Sequence, residues 1–98
     1  MNSPFENRIV AVINKSIPVG NAMNCLGHMS IALGSIVGEN ALHLVDYHDA
    51  DQAGYPGISK MPFVILRATG GKIHTLKTTA EEQGIAFRCF TDTMTIGT

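Results

Sequence analysis

Ile9-Val10-Ala11-Val12-Ile13, then Asn14-Lys15-Ser16-Ile17-Pro18-Val19-Gly20, then Asn21-Ala22-Met23-Asn24-Cys25-Leu26-Gly27-His28-Met29: this stretch decides the fold. A short apolar run gives way to turn chemistry, and the turn gives way to a long pattern of helical period. That order is a strand feeding a helix through a loop, the unit from which α/β domains are built. The predicted helix covers residues 21–37, with Asn21 as N-cap, Pro18 stiffening the approach and Gly38 at the left-handed position past the end.

At about 100° per residue, Ala22, Cys25, Leu26, Met29, Leu33, Ile36 and Val37 share one broad arc, the expected core face. Asn21, Asn24, His28 and Ser35 form a narrow polar stripe, and Gly20, Gly27, Gly34 and Gly38 lie near a third line. Glycine inside a helix costs roughly 1 kcal/mol relative to alanine. Gly27 and Gly34 therefore ask for a compensating close neighbour: a strand, another helix or a second protomer. The plainer reading is two tolerated glycines in a helix held by its core arc.

Working outward, residues 41–47 alternate well enough for a strand, and 49–59 is turn chemistry throughout, a long connection of the kind that often carries function. Residues 61–67 give a continuous apolar strand of the kind covered on both faces, with Pro62 at its start. A second helix is expected over about 72–83, with Ile73, Leu76 and Ala80 at helical spacing and Gly84 past its end. Residues 85–90 read as a last strand, followed by a threonine-rich tail. The expected architecture is α/β, a three-layer open mixed sheet of about four strands with helices on both faces. Right-handed crossovers put the first and third strands near its centre.

The chain of 98 residues reads as one domain, 1–98. Its formal charge of −1 shows no basic run, which argues against a general electrostatic grip on nucleic acid. No leader pattern and no membrane-length apolar run is present, so a cytoplasmic protein is expected. Cys25 and Cys89, far apart, read as buried thiols in a reducing compartment.

Ligands of open α/β sheets bind beyond the carboxyl ends of strands. Here that edge comprises the loop 14–20, where Lys15, Gly20 and Asn21 are candidate ligand-binding residues, the segment 67–70, and the tail 91–95. Free N–H groups at the helix start suit an anion, but a lone Gly20 is neither a dinucleotide fingerprint nor a phosphate loop. Along the helix, His28 is the candidate general base, with Asn24 one turn before it to orient it or the substrate. Asp92, among hydroxyls after the last strand, is the candidate carboxylate partner. The plainer readings are a structural histidine and a turn aspartate. Cys25 lies three residues from His28, the spacing of a thiol beside a base, yet it falls on the core arc and reads as packing. The spacing Asp49-x-Asp51-x-x-Gly54, with His43, Asp46 and His48 nearby, is similar to a calcium loop. Ala53 and Lys60 stand where further oxygen ligands are required, so neither a metal nor another cofactor is expected.

The order of these motifs resembles an uncharacterised bacterial protein family with a fold like peptidyl-tRNA hydrolase type II. The residues that carry it are Ile17-Pro18-Val19-Gly20, then Asn21-Ala22-Met23-Asn24 and His28, the apolar strand, Gly84, and Phe90-Thr91-Asp92. Members of that family continue past the equivalent of Thr98, which implies a chain that extends further. Against the hydrolases themselves, Gly27-His28 would echo an Ala-His pair, and Asp92 would open an Asp-Ala-Gly-x-Thr segment. Pro18, Val19 and Asn21 stand where those enzymes carry lysines, and Thr93-Met94-Thr95 lacks their glycine and arginine. Phosphate contact needs cations, so tRNA is not an expected partner. Two functions remain open. One is a small hydrolase acting on an ester or amide through Asn24, His28 and Asp92. The other is a non-catalytic module that binds an unknown small molecule or assembles as a homodimer along the glycine line.

Overall fold

The computed structural model describes residues 7–91 and 94. The order of elements is β1 (Ile9–Asn14), α1 (Val19–Leu42), β2 (Leu44–His48), β3 (Gly54–Ser59), β4 (Phe63–Ala68) and α2 (Gly70–Gln83). The protein is mixed α/β, but the four strands among the described residues form two separate two-stranded sheets in place of the one open sheet expected. β1 and β4, the first and third of the predicted strands, pair in parallel from Ile9↔Phe63 to Asn14↔Ala68, and the Lys15 N–H extends the ladder to the Ala68 carbonyl at 2.9 Å.

The second sheet corrects the sequence reading. Residues 49–59 carry loop chemistry, yet only the first part turns. The Asp49 carboxylate accepts from the Asp51 and Ala53 N–H groups, each at 2.9 Å, and from the Tyr55 hydroxyl at 2.8 Å. Gln52 sits at φ 65°, and β3 then returns along β2 as an antiparallel hairpin. Pro56 and Gly57 hid the strand, because proline and glycine belong in strands only at edges and bulges. Both conditions hold here. Among the described residues the hairpin has no third strand, and its register is irregular between Val45 and Tyr47, where Asp46 accepts from the Gly57 N–H at 3.3 Å.

The three hydrogen bonds at Asp49, that from the Ala53 N–H foremost, lower its pKa from the ordinary 3.8. A carboxylate depressed in the folded state adds stability that is present above its unfolded pKa and is lost as pH falls through its folded pKa. The 49–53 turn should therefore open more readily as pH drops below about 3.8. Amide exchange at Ala53, corrected for its intrinsic pH dependence, should show this in the parent and not in Asp49→Asn.

Residues 85–90 form no strand, against expectation. α2 is stopped as its sequence implied: Gly84 adopts φ 68° and its N–H reaches the carbonyls of Ala80 and Glu81. At its other end Thr69 caps the helix, its hydroxyl accepting from the Lys72 N–H at 3.2 Å, so the helix begins at Gly70 rather than near 72. α1 begins earlier too. Pro18, extended at φ −61° and ψ 152°, is the N-cap, and Asn21 lies inside the first turn. Gly38, at φ 80° and ψ 163°, breaks the helix where predicted, but one more turn follows and ends at left-handed His43.

Both helices pack on β1, and among the described residues the buried core is Ala11, Ile13 and Ala80. The expected core arc of α1 is recognisable: Ala22, Cys25, Leu26, Met29, Leu33 and Val37 are half-buried, while Ile36 is exposed. β4 departs further. Phe63, Ile65 and Leu66 are exposed, because a two-stranded sheet offers too little neighbouring surface to cover both faces. Of the two thiols read as buried, Cys25 is half-buried and Cys89 exposed. Among the described residues no helix is long and apolar enough to cross a membrane.

Candidate functional site

The parallel pair ends at Asn14 and Ala68, and both helices start within a few residues of that edge. Asn14 folds its carboxamide back to accept from the Ser16 N–H at 2.8 Å, closing a local turn, and its side-chain nitrogen lies beside Gly70. Lys15, Gly20 and Asn21 are exposed at this edge. Gly20 has open space where a side chain would be.

Asn24 and His28 lie elsewhere. A helix rises about 1.5 Å per residue, so His28 stands roughly 13 Å along α1 from its first residue, Val19. The two side chains do come together. They line one open depression of about 270 Å³ with Met23, Gly27 and Ile31. The His28 ring stacks on Phe90, centroids 5.3 Å apart and planes 22° from parallel. Phe90 is half-buried and belongs to the segment after α2. Asp92 lies outside the described residues; the chain reaches His28 two residues before it.

The chemistry of this depression is apolar with a polar edge. Met23 and Ile31 flank it and Gly27 lies between them, while Asn24 brings a carboxamide and His28 an imidazole to its lining. No hydrogen bond fixes the imidazole among the described residues, and Phe90 orients it by stacking alone. Among the same residues no three His, Cys, Asp or Glu side chains come together. The acidic stretch 46–51 spends Asp46 and Asp49 on hairpin amides.

Asn24 and His28 were legible in the sequence as one stripe, and Gly27 as a helix glycine needing a reason. Met23 and Ile31 were missed, although both fall opposite the core arc, four residues to either side of Gly27, and a helical wheel carries that signal. Nothing local could have pointed to Phe90, which meets His28 across 61 positions of intervening chain.

Compared with known proteins, residues 7–98 match a family described as "Protein of unknown function (DUF2000)". No curated protein and no solved structure matches the chain.

Proposed function

The chain belongs to that family, DUF2000, and on this premise we propose that it binds a small uncharged molecule in the depression at Asn24 and His28. One observation carries the reading: two hydrogen-bonding side chains edge a depression whose other walls are apolar. The depression is open, about 270 Å³, and all the side chains that line it come from α1. From Ser16 to Gly38 the chain has no Asp, Glu, Lys or Arg, so a charged ligand would find no counter-charge on α1 there. The ligand class is an apolar body bearing an amide or carbonyl: Met23 and Ile31 take the body, and Asn24 and His28 take the polar group.

A second reading is hydrolysis of an ester or amide in the same place. The stacking of Phe90 on His28 favours it, because it brings the segment that runs into Asp92 to the imidazole. Here Asn24 would hold the carbonyl oxygen, His28 would take the proton from an attacking water, and Asp92 would orient the imidazole. The resemblance to a peptidyl-tRNA hydrolase-like fold supports an acyl substrate of this kind.

N-acetyl-phenylalaninamide distinguishes site from no site, and its methyl-ester analogue distinguishes binding from turnover. Amide NMR shifts should appear at Asn24, Gly27, His28 and Phe90 on titration with the amide. Asn24→Ala and His28→Ala should each weaken binding by roughly three- to tenfold, the value of one lost hydrogen bond. Shifts confined to residues 14–21, or none, would overturn the site. Ester turnover that vanishes in His28→Ala would favour the hydrolytic reading.

A further inference from the structure

The β2–β3 hairpin stands apart from the rest of the fold. The substantial packing between elements joins β1 to β4, β2 to β3 and each helix to β1, and none of it ties the hairpin to another element. The hairpin register sets Val45 opposite Ile58 and Tyr47 opposite Tyr55. Side chains directly opposite share a face, as do residues two apart along a strand, so these four make one apolar strip. The strip is uncovered: Tyr47, Tyr55 and Ile58 are 43%, 49% and 50% exposed. Asp49 fixes the outer end of Tyr55, whose hydroxyl donates to the carboxylate at 2.8 Å. An exposed apolar patch rimmed by polar groups marks an interaction surface.

Charge says what kind of partner the strip takes. From Asn40 to Ser59 the chain carries Asp46, Asp49 and Asp51 and no Lys or Arg. The nearest cation in sequence is Lys60, whose N–H pairs with the His43 carbonyl at 3.0 Å, at the open end of the hairpin. It lies roughly 16 Å along β3 from Tyr55, at the rise of a strand. The aspartates gather at the other end: Asp46 is next to Tyr47, Asp49 holds Tyr55, and Asp51 lies in the turn between the strands. A cation over the face of a tyrosine is attracted by the ring, and carboxylates beside the ring add to that attraction. A surface of this sign steers basic partners in and turns acidic ones away.

Spacing gives the form of the partner. An extended peptide places every second side chain on one face, at the same pitch as β2. A basic side chain over Tyr47 and Tyr55 would therefore bring a second side chain, two positions away, over Val45 and Ile58. That position asks for an apolar residue.

We propose that the face formed by Val45, Tyr47, Tyr55 and Ile58 docks an extended basic segment of a partner protein. An Arg or Lys of the partner lies on the two rings, and an apolar side chain two positions away lies on Val45 and Ile58. Nothing in this depends on the depression at Asn24 and His28.

Tyr47 and Tyr55 are the only tyrosines and the chain has no tryptophan, so its intrinsic fluorescence reports on this face alone. Titration with acetyl-Ser-Leu-Ser-Arg-Ser-amide should change that emission saturably and shift amides within residues 45–58. The same peptide with Glu in place of Arg should do neither, and one with Leu and Arg side by side should bind more weakly. Asp51→Lys, in the exposed turn, should keep the circular dichroism of the parent. It should weaken binding by roughly three- to tenfold at about 0.1 M salt and by less at about 1 M. An equal response to the Glu peptide, no saturable response, or shifts confined to residues 23–31 overturns the proposal, as does an affinity unchanged in Asp51→Lys. A parent that self-associates with both tyrosines shielded from acrylamide gives the face to a second copy and overturns it too.

Discussion

Ile13→Ala should lower the melting temperature more than truncation of any exposed isoleucine in this chain. Ile13 is 5% exposed, in the strand against which both helices pack, and among the described residues its buried companions are Ala11 and Ala80, both small. Removing a buried isoleucine side chain costs about 2–5 kcal/mol, the transfer term plus the cavity left behind. A domain of this size loses roughly 4–8 °C per kcal/mol. The expected fall is therefore roughly 8–40 °C. Ile65→Ala on the partner strand is the control. At 57% exposure it should change little, within about 1 kcal/mol. Thermal melts of both variants decide the matter. Equal losses would mean that β4 is as covered as β1 and that the core does not centre on β1.

Gly38→Val should be the second costly change, for a different reason. Gly38 sits at φ 80° and ψ 163°, a region open to glycine alone. A side chain there would meet nothing within 4 Å, so space is not the obstacle. The cost is conformational, about 1–3 kcal/mol, and a β-branched residue belongs at its upper end. The break also sets a direction for the chain beyond it. The last turn of α1, left-handed His43 and β2 all leave from it. A melt lower by roughly 12–24 °C is the expected result. A variant with more helix by circular dichroism and an unchanged melt would show that the chain runs straight through 38 without penalty. Gly27→Ala makes a useful contrast. It has open space and lies in regular helix, so α1 should gain up to about 1 kcal/mol.

These two sites show what local chemistry made legible. Gly38 and Gly84 were readable as helix breaks because positive φ is a property of one residue and its neighbours. The core arc of α1 and the apolar character of β1 and β4 were readable for the same reason, since period follows from backbone geometry. Local rules misled where they were applied too strictly. Pro56 and Gly57 argued for loop, and the hairpin accommodates them at an edge and a register break. Residues 85–90 read as a strand, yet a strand needs a partner edge, and no window of sequence supplies one. In the candidate site, Asn24 and His28 were found from their shared stripe. Their apolar flank needed the knowledge of which side of α1 remains uncovered.

The sequence by itself determined the helix breaks, the two helices and the β1 and β4 strands, because each depends on sterics and hydrogen bonds within a few residues. It also determined that α1 carries apolar side chains on two sides and no charge before Glu39. Only the tertiary structure decided which side faces β1, that the strands divide into two sheets, and that Phe90 lies on His28. Those outcomes turn on contacts between distant parts of the chain, whose free energy depends on how the whole closes up and not on any window of sequence.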